Sequence, residues 1–347
     1  MLYLARLNNR IDIKHIIIRI VIKRGNMITV NGIQNYISGN KPVYAAMGAF
    51  DGIHHGHSRL IKMAVDMAHQ NSGEAVVLTF KPHPRCFISS EKHFKLITDF
   101  SQKERIISGL GIDKMVVVDF NENIAAMPPE KFIEEYLVNK LKVNEVFVGF
   151  NFYFGANRSG NAETLRESGA RHGFNVNVLK PIEIGNFIVS SSKIRLLIEA
   201  GAVDDVIKFM GRPFELCGKV IHGDGLGRKL NIPTANIEVP DEGLIAPKPG
   251  VYAVKCRAAG RVYNAVMNIG TRPTVYEKKS TVLAFELHII DFNENIYGET
   301  VEVFFIKRLR DEKKFADFKM LCAQIGEDIA SAAEYFRDDE IPKFEIN

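Results

Sequence analysis

From about residue 43 to residue 205, the chain alternates between short apolar runs and longer stretches whose apolar residues recur every three or four positions. The short runs are VYAAMG, AVVLTF, KMVVVDF, EVFVGF and FNVNVL, and segments such as HSRLIKMAVDMAHQ and EKFIEEYLVNKL separate them. Runs that are apolar throughout predict strands buried on both faces, and the wider spacing predicts amphipathic helices. Residues 43–205 are therefore predicted to form an α/β domain with a parallel sheet, whose ligands lie at the carboxyl ends of the strands.

The pattern changes after about residue 210. Runs such as ELCGKVIHG, GVYAVKCRA and TVLAFELHIID alternate polar and apolar residues, and the segments between them are rich in Gly, Pro and Asn. Strands without intervening helices predict an antiparallel sheet or a small barrel, and the chain then ends in a helical pattern. We place the boundary near Gly211, which gives a basic extension (1–27), an α/β domain (28–210) and a β-barrel domain with a terminal helix (211–340).

Charge and composition limit the classes of protein to which this chain can belong. The chain of 347 residues has a net charge of +4, but residues 1–26 alone carry +5, so the remainder is nearly neutral. A neutral body argues against a nucleic-acid partner. The mean hydropathy is near zero, and the four cysteines form no CxxC pair, so we expect a cytoplasmic protein with reduced thiols and no membrane partner.

The first 26 residues have two interpretations. Their apolar run is too short to span a bilayer and is interrupted by Arg19. Met27 follows at once, so the first interpretation is that Met27 is the natural start or that residues 1–26 are a dispensable tail. The second is that the segment directs the chain to an organelle. The second interpretation is weaker because targeting segments are usually amphipathic and rich in serine.

A cluster of histidines follows the first strand of the α/β pattern, in the segment GAFDGIHHGHSRL (48–60). A turn from strand to helix collects unpaired N–H groups and the positive end of the helix dipole, which together favour an anion. His54 and His57 are three residues apart and could face the same anion. A metal site is less favoured because only Asp51 is a nearby acid, and structural histidines remain the other alternative.

Four stretches in the same order carry a family resemblance. His54-His55-Gly56-His57 resembles the HxGH signature of nucleotidyltransferases, which have a Rossmann-like fold. Together with LTFKPHPRCF, VGFNFYFGANRSGN and VSSSKIR, it resembles the first module of bacterial bifunctional riboflavin kinase/FMN adenylyltransferases. Ser192 stands where that family often has Thr, and Asn151 stands where Asp is frequent.

The resemblance implies roles for named residues. His54 and His57 would stabilise charge on the α-phosphate of ATP, and Arg195 would steady the leaving pyrophosphate. It assigns ATP binding to Gly48, Phe50, Gly56, Ser190, Ser191 and Ser192. It assigns flavin binding to Asn151, Phe154 and Arg158. Without the resemblance, SSSKIR would be a helix cap and FNFYFG would be core aromatics.

The second half contains GKVIHGDGLGRKLNIPTANIEV (218–239), which is neither a P-loop nor a dinucleotide fingerprint. Thr234 and Asn236 lie two apart on an extended segment, so they point to the same side and could hold Mg²⁺ with its phosphates. The stretch resembles the riboflavin kinase signature, which implies ATP binding at Gly218, Gly223, Arg228, Thr234 and Asn236, with the last two also as metal ligands.

Glu286 lies in LAFELHII, where Leu283, Phe285, Leu287 and Ile289 alternate onto the opposite face. The resemblance implies that Glu286 is the base for the ribityl 5′-hydroxyl and that Arg310 helps to fix the flavin. We therefore predict a bifunctional enzyme that converts riboflavin to FMN and FMN to FAD, with ATP as co-substrate and Mg²⁺ as cofactor. The alternatives are an enzyme with one activity and a second flavin-binding domain, or a flavin-binding regulator without turnover.

Overall fold

A computed structural model describes residues 27–88, 94–222, 233–240, 243–273 and 281–337. The described chain forms two compact units, residues 27–191 and 192–337. The predictions for residues 1–26, for Gly223 and for Arg228 lie outside the described residues.

The first unit contains a six-stranded parallel sheet, as predicted. Its order is β1-β4-β3-β2-β5-β6, and every neighbouring pair is parallel. The strands are β1 (Ile28–Asn31), β2 (Val43–Met47), β3 (Glu74–Lys81), β4 (Lys114–Asp119), β5 (Val143–Gly149) and β6 (Asn175–Leu179). A short antiparallel pair, β7 (Glu183–Ile184) and β8 (Phe187–Ile188), follows β6.

Helices connect these strands. They are α1 (His55–Gln70), α2 (Pro84–Ile88), α3 (Phe100–Gly109), α4 (Glu122–Ala125), α5 (Pro129–Phe132) and α6 (Ala162–His172), and α5 continues as a π-helix (Ile133–Leu141). Local capping explains several starts: Asp99 and Gln102 form a capping box at α3, and Asn161 and Thr164 form one at α6.

The two faces of the sheet build separate hydrophobic cores. In β2, Val43, Ala45 and Met47 enter one core, whereas Tyr44 and Ala46 enter the other. Alternate residues of a strand point to opposite faces, so a strand covered on both sides must be apolar throughout. This explains the continuous apolar runs in the sequence.

The order of the strands locates a binding crevice. The chain adds β3 and β4 on one side of β2 and then places β5 on its other side. The connections after β2 and β5 therefore leave in opposite directions, which opens a crevice at the carboxyl ends of these two strands.

The second unit is built around a closed antiparallel barrel. Its order is β10-β13-β12-β11-β14-β9, and pairing of β9 with β10 closes it. The strands are β9 (Phe214–Ile221), β10 (Ala235–Glu238), β11 (Gly250–Ala258), β12 (Arg261–Pro273), β13 (Thr281–Ile289) and β14 (Thr300–Arg310), and the helices are α7 (Ser191–Ala200), α8 (Val203–Met210) and α9 (Phe318–Arg337). The predicted barrel and terminal helix are confirmed.

Helices cover part of the outside of the barrel. Ile207 of α8 packs with Phe304 and Ile306 of β14, and Tyr335 and Phe336 of α9 join the same cluster. Helices α7 and α8 precede the predicted boundary near residue 211, yet from Ser192 onward they group with the barrel unit. The boundaries at 27 and 210 remain predictions.

Candidate active sites

The turn between β2 and α1 has an unusual backbone. Phe50 has φ 48°, Gly52 has φ 80° and Ile53 has φ 32°, so three of four consecutive residues lie in the left-handed region. Such values are strained for bulky residues and persist only where surrounding contacts impose them. Phe50 and Ile53 are almost fully buried, which gives the turn those contacts.

The turn brings the two predicted histidines together. His54 caps α1, and its Nδ1 accepts the N–H of His57 at 3.3 Å. The imidazole rings stack with centroids 3.7 Å apart, and the ring of Phe50 meets that of His57 edge-on at 5.3 Å. Because Nδ1 of His54 accepts a hydrogen bond, His54 is the neutral tautomer whose Nε2 carries the proton.

Steric contacts explain why glycine occupies two of the predicted positions around this turn. A Cβ on Gly48 would lie 3.2 Å from the ring of Phe50, and a Cβ on Gly56 would lie 3.1 Å from the ring of His54. Both glycines therefore allow the close approach of rings that the site needs.

A buried polar cluster supports the turn, and no sequence motif indicated it. The carboxylate of Asp51 accepts the N–H groups of Ile97 and Thr98 at 3.0 and 3.2 Å, and the N–H of Gly52 donates to the hydroxyl of Thr98 at 3.2 Å. Lys103 of α3 donates from Nζ to the carbonyl oxygen of Ala49 at 2.8 Å. Burial lowers the pKa of Lys103 to about 8, although Asp51 raises it in part.

Ser191, the last residue of the first unit, contacts the same turn. Oγ of Ser191 donates to the backbone oxygen of Asp51 at 2.9 Å. Ser190 is half-buried next to it, and Ser192 is exposed on the first turn of the helix. Arg195 lies four residues after Ser191, on the same face of α7.

The predicted flavin residues after β5 fall into two groups. Asn151 and Arg158 are exposed, and the guanidinium of Arg158 lies 4.8 Å from the ring centroid of Tyr153. Phe154 is only 8% exposed and packs with Phe152 and Phe132 in the core. This geometry favours a core role for Phe154, whereas Phe150 and Tyr153, which the motif did not single out, are 43% and 51% exposed.

In the barrel, three polar residues lie side by side on adjacent strands. Asn236 of β10 is directly opposite Glu286 of β13, and Glu286 is directly opposite Asn268 of β12. Residues in direct register point to the same face with Cβ atoms about 5 Å apart. Phe285, Leu287 and Ile289 are buried on the other face, which confirms the predicted alternation of β13. The position of Asn268 emerges only from the register.

Thr234 borders a cavity of about 290 Å³. The backbone oxygen of Pro233, on the same segment, lies 2.8 Å from Nδ1 of His288, and this contact anchors the segment to β13. The wall combines apolar and polar side chains that sequence reasoning did not assign, namely Val220, Leu287, Ile289, Phe292, Asn293, Glu294, Asn295, Ile296 and Tyr297. The ring of Tyr297 stacks on His222 with centroids 4.0 Å apart.

Two further predicted residues have structural contacts of their own. Arg310 forms a two-pronged ion pair with the buried Asp328 of α9, at 2.8 and 2.7 Å. Gly218 lies in β9, where a Cβ would stand 2.4 Å from a side-chain carbon of Ile237. The structure thus gives Arg310 a role in holding α9 and Gly218 a role in strand packing, and their assignment to ligands remains a prediction.

Among the residues that the structure describes, no group of three or more His, Cys, Asp or Glu side chains is arranged to hold a metal ion. No helix among them is long and apolar enough to cross a bilayer.

Comparison with known proteins identifies the family. Residues 37–193 match the family model of FAD synthetase, and residues 210–336 match that of riboflavin kinase. A bifunctional riboflavin kinase/FMN adenylyltransferase of Bacillus subtilis (strain 168) is 38% identical over 84% of this chain and 92% of its own length. The chain belongs to this family. The predicted family, fold class and pair of activities are confirmed at that level.

Two other relatives of the same name and one crystal structure are also similar to most of this chain. The proteins of the same name from Buchnera aphidicola subsp. Schizaphis graminum and Escherichia coli (strain K12) are 34% and 33% identical, over 89% and 84% of this chain and 99% and 91% of theirs. A crystal structure from Streptococcus pneumoniae superimposes with a TM-score of 0.80 and 28% identity, covering 88% of this chain and 98% of that one. That structure is described as a macrolide-efflux protein.

Proposed function

We propose that the α/β unit transfers AMP from ATP to FMN at the crevice between β2 and β5. The observation that carries this proposal is the stacked pair His54 and His57, held at the N-terminus of α1 beside the topological switch point. A phosphate oxygen of FMN would attack the α-phosphorus, and the bond to the β-phosphate oxygen would break and release pyrophosphate.

The roles of the histidines follow from their geometry. His54 presents an Nε2–H donor, because its Nδ1 is occupied by the N–H of His57. With the positive end of α1, this donor favours the additional negative charge of the transition state. Ser190 and Ser191 would bind the β- and γ-phosphates that leave, and the family resemblance assigns Ser192 and Arg195 to the same phosphates.

The exposed segment after β5 supplies a surface for the flavin. Phe150 and Tyr153 offer aromatic faces, and Arg158 and Asn151 offer hydrogen-bond donors. A planar isoalloxazine ring requires apolar contact on its faces and polar partners at its edge.

We propose that the barrel unit phosphorylates riboflavin, with Glu286 as the group that receives the proton from the attacking hydroxyl. Glu286 stands beside Asn236, so a carboxylate and a phosphate-site amide lie on one face. The cavity beside Thr234 offers apolar side chains that could contact the adenine of ATP and polar side chains at Asn293, Glu294 and Asn295 that could bind its edge. In phosphoryl transfer the protein contributes mainly by orientation and charge.

Thr234 and Asn236 are the residues that would hold Mg²⁺ in the kinase site. Their hydroxyl and amide oxygens, with phosphate oxygens and water, match the oxygen ligands that Mg²⁺ prefers. When bound, the ion would neutralise charge on the phosphates. We further propose a cytoplasmic enzyme whose partners are riboflavin, FMN and ATP rather than nucleic acid, supported by the near-neutral charge of residues 27–347.

Two variants test the two sites separately. His57→Ala should lower FAD formation from FMN by about a hundredfold or more, because it removes charge stabilisation at the transferred phosphate, while the kinase activity remains. Glu286→Gln should lower FMN formation while supplied FMN is still adenylylated. His69→Ala, at the far end of α1, and Glu299→Gln, on an exposed turn, are the matched controls.

The outcomes separate this proposal from its alternatives. FAD formation near the wild-type rate in His57→Ala would refute the role of the histidine, and unchanged kinase turnover in Glu286→Gln would refute that of the glutamate. If the wild type forms only one product, the enzyme has a single activity. If it binds riboflavin and forms neither product, it is a regulator.

A further inference from the structure

Lys103 is an unusual residue in the first unit because it is a lysine that is only 5% exposed. Burying a charged amine is costly unless partners compensate for the lost hydration. Its Nζ donates to the carbonyl oxygen of Ala49 at 2.8 Å, and Asp51 provides the favourable charge nearby. Lys81 and Cys86 are the other titratable groups close enough to influence it.

The contact point of Lys103 is the strained turn of the adenylyltransferase site. The carbonyl of Ala49 immediately precedes Phe50, whose φ is 48°. Thr79 donates to the same carbonyl at the longer distance of 3.3 Å. On the other side of Phe50, the carboxylate of Asp51 is fixed by the N–H groups of Ile97 and Thr98. The backbone is thus held both immediately before and immediately after Phe50.

Phe50 connects the restrained backbone to the histidines through a ring contact. Its ring meets His57 edge-on at 5.3 Å, and His57 stacks on His54. A left-handed bulky residue would relax toward an ordinary conformation if its flanking contacts were lost. Such a relaxation would move the ring of Phe50 and therefore the edge against which His57 rests.

We propose that Lys103 is a positioning residue for AMP transfer, which acts by holding the turn 48–53 so that His54 and His57 keep their stacked arrangement. The inference rests on the proposed adenylyltransferase site. Lys103 contacts the backbone of the turn at Ala49, and its effect on the histidines passes through Ala49 and Phe50. The lowered pKa of Lys103 is consistent with this burial, because desolvation disfavours the charged amine.

The test compares Lys103→Met with Lys114→Met in the full-length protein. Lys114 begins β4 and pairs with Glu74 at 2.8 Å, at the amino ends of the strands and thus at the opposite edge of the same sheet. Steady-state FMN adenylylation and riboflavin phosphorylation are measured for each, with the thermal unfolding midpoint. Lys103→Met should lower kcat for adenylylation about tenfold or more, with KM for FMN and the kinase activity unchanged, because misplaced catalytic groups slow the chemical step. Lys114→Met should leave both activities unchanged.

Two more variants distinguish positioning from a general loss of structure. Lys103→Arg keeps a cation and donors, so it should recover part of kcat relative to Lys103→Met. Thr79→Val removes the second donor to Ala49 without a change of shape, and it should give a smaller loss of kcat in the same direction. This variant keeps the inference testable if Lys103→Met does not fold.

Three results would overturn the inference. They are adenylylation by Lys103→Met at the wild-type kcat, an equal loss in Lys114→Met, or a loss in Lys103→Met that Lys103→Arg does not reduce and Thr79→Val does not share. A wild-type protein that makes no FAD from FMN would refute the proposed function instead, so the two failures are distinguishable.

Discussion

Replacement of Asp328 by Asn removes one partner of the ion pair that joins α9 to the barrel. The carboxylate is 6% exposed and receives both prongs of the Arg310 guanidinium, at 2.8 and 2.7 Å. Loss of one partner of a buried pair costs about 3–5 kcal/mol, because the other charge stays in a poorly solvated place. The side chain of Arg310 is 16% exposed, so we expect the lower end of that range.

For a unit of this size, a loss of about 3 kcal/mol lowers the unfolding midpoint by roughly 10 °C. The assay is thermal unfolding followed by circular dichroism, with riboflavin kinase activity to report on the barrel. Asp205→Asn is the matched control, because Asp205 pairs with Lys208 at 2.7 Å on the surface, where a pair contributes less than about 1 kcal/mol. A double variant, Arg310→Met with Asp328→Leu, should be more stable than Asp328→Asn because it leaves no buried charge.

Two results would refute this reasoning. One is an Asp328→Asn variant as stable as Asp205→Asn. The other is an Arg310→Met variant that loses affinity for riboflavin without any loss of stability, since that would support the flavin role implied by the motif.

Three other predictions follow from burial and packing. Because folding lowers the pKa of Lys103 to about 8, the unfolded chain binds more protons than the folded chain between about pH 8 and 10.5. The stability of the wild type relative to Lys103→Met should therefore rise over this range in thermal unfolding measured at several pH values, and a fall would contradict this. Gly218→Ala should lower the free energy of unfolding in urea by about 1–3 kcal/mol through overpacking against β10. Gly326→Ala, in an open position of α9, should raise it slightly, and equal effects of the two variants would contradict this. In titration with a thiol reagent at pH 8, the exposed Cys86 should react quickly. Burial raises the pKa of the Cys256 thiol to about 12, so Cys256 should react only after unfolding, and its rapid reaction in the folded protein would contradict this.

The fold was predictable because its determinants are periodic. The apolar run of β2 alternates between two cores, and the polar–apolar pattern of β13 follows the wall of the barrel. These are local consequences of how strands orient successive side chains. The division of α7 and α8 was not predictable in this way, since a helix at a boundary has no periodic signal that says which unit it covers.

The candidate sites were predictable where a motif is contiguous. His54 and His57 share one turn, so their stacking follows from the start of a helix. Asn268 joins Glu286 only through strand register, and Lys103 reaches Ala49 across 54 positions of sequence. Contacts of this kind depend on tertiary packing. Phe154 shows the converse, because a motif position can be occupied by a core residue.

The most direct test of the central claim is chromatography of the products formed when the purified protein is incubated with riboflavin, ATP and Mg²⁺. FMN should appear first and FAD should follow as FMN accumulates, because the barrel unit makes the substrate of the α/β unit. FMN without FAD would contradict the assignment of the histidine turn to adenylyl transfer, and the absence of both products would contradict the assignment of either activity to this protein.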